Sequence, residues 1–223
     1  MPSLKIRDKT VLACVKYMKQ MHEGQIRRNT NAPYWTHPLR VLELMEEAPF
    51  FFATRDKCAG LLHDVKGDSP LFSWDDIVAK FGHWVAGAVA LLSKTKLGET
   101  RPDVYFAMLQ HAHPSITAIK LFDRISNTED FNVVSDAAWL EKYASDTVEL
   151  VMPLVQVMVA RGSIISPQGY YELGCWIEDR LQKNVHGMIA RRRELLAGTD
   201  RLSGNPSPDE GRPADTTDGK ERG

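Results

Sequence analysis

Residues 114–125 read Pro114-Ser115-Ile116-Thr117-Ala118-Ile119-Lys120-Leu121-Phe122-Asp123-Arg124-Ile125, and this run decides the fold. Pro114 suits the first turn of a helix, where its missing N–H would have had no partner anyway. Ile116, Ile119, Leu121 and Ile125 recur at helical spacing and predict a mostly buried helix. An acid, Asp123, falls inside that apolar stretch, with Lys120 and Arg124 close by as possible ion-pair partners.

Outward from this helix the same periodicity continues, and no stretch alternates with a sustained period of two between hairpin turns, so an all-α fold follows. A first helix is expected from Arg7 to His22, ending toward Gly24, and a polar loop follows from Arg27 to Ala32. Thr36-His37-Pro38 reads as a helix start. A helix from Ala53 to Val65 would place His63-Asp64 in its last turn, before Gly67 and Pro70. Ser73 with Asp76 three residues on marks a cap, for a helix ending near Phe81-Gly82 and continued by His83 to Leu92. Asp103 to Gln110 looks helical, and two long helices are expected beyond it, Asp136 to Val159 and Pro167 to Leu196. From Gly198 the composition turns to Gly, Pro, Ser, Thr and Asp, which cannot offset its ordering entropy. One domain over residues 1–197 and a disordered tail over 198–223 are therefore expected, with about eight to ten helices.

The 223 residues are 43% hydrophobic and 26% charged, ordinary for a folded chain. With 28 basic and 29 acidic side chains the net charge is −1, so no overall field recruits nucleic acid or an anionic membrane. Cys14, Cys58 and Cys175 are odd in number and form no CxxC pair, which argues against a disulfide framework or a thiolate zinc site and fits a cytoplasmic protein. Neither a leader nor a membrane span is expected. Trp74, Trp84, Trp139 and Trp176 recur on apolar helix faces and are read as core.

Four metal-ligand residues occur in apolar or helix-terminal settings: His37, the pair His63-Asp64, and Asp123. Two imidazoles and two carboxylates suit a divalent first-row ion such as Mn²⁺, Fe²⁺ or Zn²⁺ better than a thiolate-seeking one. Such an ion lowers the pKa of bound water and neutralises a phosphoryl oxygen, so phosphoester hydrolysis is the natural chemistry. Neighbours on a helix diverge by about 100°, so His63 and Asp64 share an ion only if other helices bring the remaining donors. A lone His-Asp dipeptide is weak evidence of this.

The wider pattern is more specific. His22-Glu23-Gly24-Gln25 with Arg27-Arg28, Pro33-Tyr34-Trp35-Thr36-His37-Pro38-Leu39, Leu61-Leu62-His63-Asp64-Val65, and Lys120-Leu121-Phe122-Asp123-Arg124 with Asn127 occur in that order. Over residues 8–160 the sequence resembles the HD-type hydrolase domain of the stringent-response synthetase-hydrolases and the stand-alone small alarmone hydrolases. The resemblance implies an HD-domain helical bundle binding Mn²⁺ through His37, His63, Asp64 and Asp123, and removing the 3′-pyrophosphate of ppGpp. It implies that Arg28, with Arg27 as the register alternative, faces the purine, and that Lys94, Arg124 and Asn127 contact phosphate or ribose. A small-molecule nucleotide is the implied partner, with no nucleic acid and no membrane, and a homodimer is left open.

The chain departs from the family pattern after His63-Asp64, where a Glu-Asp pair is usual and this sequence has Gly67-Asp68, preceded by Lys66. Loss of a positioned general base typically costs about 10²- to 10⁴-fold in rate. Three readings stay open. Asp68 serves alone as base; or the pocket takes another nucleotide, such as ppApp or NADPH, with Lys66 on a substrate phosphate; or the protein binds a nucleotide with little turnover.

Overall fold

At the centre of the bundle lies the helix anticipated from residues 114–125. It spans Pro114–Glu129 (α7 in chain order), and fourteen of its sixteen residues are buried, charged side chains included. The computed structural model describes residues 6–27, 30–68, 71–93 and 101–202, and for residues 67, 68 and 199–202 the backbone alone.

Around α7 the chain runs α1 (Lys9–Met21), α2 (Thr36–Glu47), α3 (Thr54–Leu61), α4 (Val65–Asp68), α5 (Trp74–Leu92) and α6 (Pro102–Gln110). After α7 come a 3₁₀ turn (Asp130–Val133), α8 (Ala137–Asp146), a π turn (Thr147–Val151), α9 (Met152–Gly162) and α10 (Pro167–Leu202). No strand occurs among the described residues, and a lone antiparallel bridge joins Ile26 to Pro33 across the polar loop. No described helix is long and apolar enough to cross a membrane. One apolar cluster packs α7 against α2, α6, α9 and α10, and a second packs α1, α3 and α5 together. Met45 lies directly against Gly60, where any side chain would collide with its sulfur, so α3 comes close to α2.

Several expectations are met in detail. Ser73 accepts from the Asp76 N–H and starts α5, and Gly82, at φ 85°, kinks that helix where the sequence predicts a break. Others need correction. His63 and Asp64 stand in the break between α3 and α4 rather than in a helical last turn. The Gly60 carbonyl, which a continuing helix would use for the Asp64 N–H, instead accepts from His63 Nδ1 at 2.7 Å. The helix expected from Asp136 to Val159 is interrupted by the π turn. Pro153 has no N–H for the Glu149 carbonyl, and the Met152 N–H reaches back five residues to Thr147. Helix α10 runs through Gly198 to Leu202, past the expected boundary. The remainder of the expected tail lies outside the described residues. Trp74 is not core: it is 36% exposed and packs edge-on against Phe72.

Candidate metal centre

Two helices and one break bring the predicted donors together. His37 is the second residue of α2, whose start is fixed by Thr36 Oγ1 donating to the Pro33 carbonyl at 2.7 Å. His63 arrives from the α3–α4 break, and Asp123 from the middle of α7. His37 Nε2 lies 3.3 Å from His63 Nε2, and Asp123 Oδ1 lies 3.1 Å from the first and 3.5 Å from the second. Ligand atoms of these three buried residues all fall within 4.8 Å of one another. Asp64 stands at the edge of this cluster, its Oδ2 3.5 Å from His63 Nε2 and 3.9 Å from His37 Nε2.

The outer nitrogens of both rings are engaged. His63 Nδ1–H donates to the Gly60 carbonyl, and His37 Nδ1 lies 2.9 Å from Ser126 Oγ. With Nδ1–H donating in each ring, both Nε2 lone pairs point into one small space, which is how proteins orient histidines around a cation. The carboxylates are held as well. Asp64 Oδ2 accepts from Tyr34 OH at 2.7 Å, and His22 Nε2 is 3.4 Å from Oδ1. Asp123 Oδ1 accepts from Asn127 Nδ2 at 2.6 Å and Oδ2 from Lys120 Nζ at 2.5 Å. Two convergent imidazoles with hard carboxylate oxygens fit one divalent first-row ion.

The electrostatics agree with such a site. Burial alone would raise the carboxyl pKa of Asp64 and Asp123, yet His63 beside Asp64 and Lys120 beside Asp123 hold both below the usual carboxylate range. For His63, burial opposes charge, but the carboxylates of Asp64 and Asp123 outweigh it and push the pKa up to about 9. Without an ion, a proton therefore occupies the cluster at neutral pH.

The other predicted residues are more scattered. Arg27 pairs with Asp130 at 3.0 Å, and both line a cavity of about 490 Å³ that also reaches Leu39, Arg40 and Ser126. A neighbouring cavity of about 570 Å³ is walled by Lys19, His22 and Glu23, and Trp35 lines both. Asn127 touches the Asp123 carboxylate directly. Arg124 is buried with its guanidinium 4.1 Å from the Tyr143 ring centroid and 3.4 Å from Thr147 Oγ1. The Lys66 ammonium lies over the Trp74 ring at 5.3 Å. Asp68 closes α4, and its side chain, like Arg28 and Lys94 entirely, lies outside the described residues. The Lys120 ion pair with Asp123 was expected from the sequence, whereas Tyr34, His22 and Ser126 were missed as partners of the donors. Tyr34 and His22 sit in the quoted family-like stretches, and Ser126 is one turn beyond Asp123, which was the available signal.

Two histidines and two carboxylates are thus gathered inside a helical bundle, and the fold of that bundle is shared with a solved structure. The solved structure of a metazoan ortholog of SpoT, described as hydrolysing ppGpp and playing a role in starvation responses, superimposes with a TM-score of 0.65 over 82% of this chain and 98% of that one, at 20% identity. In sequence, the chain is 34% identical over 144 residues to a GTP pyrophosphokinase of Streptomyces antibioticus, covering 61% of this chain. It is 30% identical over 146 residues to the bifunctional (p)ppGpp synthase/hydrolase SpoT of Escherichia coli, again 61% of this chain. It is 24% identical over 215 residues to a guanosine-3′,5′-bis(diphosphate) 3′-pyrophosphohydrolase of Spiroplasma citri, 87% of this chain. The chain spans 16%, 20% and 28% of the lengths of those three proteins. No family model matches it.

Proposed function

We propose that the chain is a metal-dependent phosphohydrolase that removes the 3′-pyrophosphate from ppGpp, with His37, His63, Asp64 and Asp123 holding one Mn²⁺. The observation that carries this reading is the meeting of two Nε2 atoms and one carboxylate oxygen at 3.1 to 3.5 Å, with both outer ring nitrogens already bonded. The names of the sequence relatives and of the solved structure support the substrate class. A bound divalent ion supplies charge neutralisation for a phosphoryl oxygen and a lowered pKa for water.

The chain's own residues do the rest. Tyr34 and His22 hold Asp64 in place, and Asn127 does the same for Asp123. Asp68, closing the short helix α4 that follows the His63-Asp64 break, is assigned as the group that orients water and takes its proton. Arg28, with Arg27 as the register alternative, is assigned to the purine, and Lys94 to the pyrophosphate. Arg124, buried under Tyr143, is assigned to shaping the pocket around Thr147, and Lys66, lying over Trp74, to the rim of the site. A cytoplasmic setting fits the free cysteines.

The test is pyrophosphate release from ppGpp, ppApp, NADPH and common nucleotides, each with Mn²⁺, Mg²⁺ or chelator. Steady Mn²⁺-dependent release from ppGpp above the others is expected. Tight nucleotide binding without release over hours would refute the hydrolase and favour a nucleotide-binding role, which Gly67 in place of the family Glu makes the second reading.

A further inference from the structure

Asp123 offers its two oxygens to different partners. Oδ1 lies against the imidazoles and Asn127, while Oδ2 accepts from Lys120 Nζ at 2.5 Å. Lys120 lies one helical turn before Asp123 on α7, is 8% exposed, and has its ammonium 5.6 Å from the Tyr105 ring centroid. Tyr105 is itself anchored through its hydroxyl to the Leu92 carbonyl at 2.6 Å. Burial disfavours the lysine's charge, but the neighbouring Asp123 keeps the ammonium protonated. A buried ammonium is costly, and for stability alone an apolar side chain of similar volume is often as good.

We propose that Lys120 makes Asp123 a one-oxygen donor to the ion, reserving Oδ2 and so controlling how many positions on the ion stay open. This rests on the assignment of the cluster as the divalent-ion site. A free carboxylate binds a hard cation through one oxygen or through both. An ion of about six coordination that takes one atom from each of His37, His63, Asp64 and Asp123 keeps two positions for small ligands; with Asp123 chelating, one remains. Lys120 is thus a positioning residue: it touches neither ion nor substrate, and it acts through the oxygen it occupies. Asn127 makes the complementary contact, on the oxygen that faces the histidines.

The experiment reads the ion itself. Mn²⁺ affinity and the number of exchangeable waters on bound Mn²⁺ are measured by water-proton relaxation for wild type, Lys120→Met and Lys120→Gln, with helix content followed by circular dichroism. Wild type is expected to carry about two such waters and Lys120→Met about one. Methionine should also bind Mn²⁺ roughly tenfold more tightly, since a like charge leaves the cluster and a donor atom is gained. Lys120→Gln, whose amide still donates to Oδ2, should keep about two waters while gaining affinity from the lost charge. A wild-type protein that binds no Mn²⁺ overturns the metal assignment and this inference with it. A wild type that binds Mn²⁺ while Lys120→Met keeps its water count overturns this inference alone, as does weaker binding in both variants, the mark of a merely structural lysine. Should Lys120→Met lose its helix content, Lys120→Gln decides: a water count near one, or affinity below wild type, overturns the proposal.

Discussion

Loading of the centre with Mn²⁺ should expel the proton that His63 carries, and pH is the perturbation that shows it. The two carboxylates beside His63 push its pKa from 6.5 up to about 9, so the ion-free ring is charged at pH 7. A histidine binds a metal through a neutral nitrogen, so each pH unit below about 9 costs about 1.4 kcal/mol of apparent affinity. Between pH 7 and 9, where the ring becomes half neutral, the apparent Mn²⁺ affinity should therefore rise roughly fiftyfold, about 2.3 kcal/mol. Asp64 and Asp123, held below the ordinary carboxylate range, add no slope in this window. Calorimetric titration in two buffers of different ionisation enthalpy counts the protons: about one released at pH 7, falling to about one half at pH 9. An affinity flat with pH, or no proton released at pH 7, would refute the reasoning. The ion-free protein should show the opposite trend in stability. A raised folded-state pKa gives stabilisation that is complete below pH 6.5 and lost as pH rises through about 9.

Two further outcomes follow from the packing and the site. Asp64→Ala should lose bound metal and pyrophosphate release together while keeping its helix content, since Asp64 sits in the break between helices; elemental analysis beside circular dichroism checks this, and unchanged metal stoichiometry would contradict the ligand set. Gly162→Ala should destabilise the fold, because the added methyl would run into the buried ring of Tyr170, itself packed on Phe50. A cost of about 1 to 3 kcal/mol is expected, lowering Tm by roughly 2 to 4 °C per kcal/mol, with an unchanged melting curve as the contrary result.

The helices were legible because α7 carries its burial on its sequence, from Pro114 through Ile125, and because Ser73 and Gly82 announce their roles chemically. The break at His63-Asp64 was not legible. It depends on a histidine side chain capturing the Gly60 carbonyl, a choice that apolar periodicity does not encode. The π turn before Pro153 was missed for a related reason: the proline was visible, but how the chain absorbs its missing N–H is settled by the Met152 to Thr147 bond. In the site, residue types picked out the side chains that the fold brings together, and order along the chain gave their likeness to other proteins. Tyr34 as a partner was beyond reach, and although Lys120 was visible as an ion-pair partner of Asp123, the oxygen it takes is distinguished only once the side chains are placed.

His37 and the serine that orients it are 89 residues apart. A chain still emerging from the ribosome, with α1 to α6 made and α7 not yet out, would present both imidazoles to the solvent but neither Asp123 nor Ser126 to complete their seat. On the proposed ligand set, cation capture would therefore be a late event in synthesis. A bound cation would join distant segments as a crosslink does, so stripping it should speed unfolding.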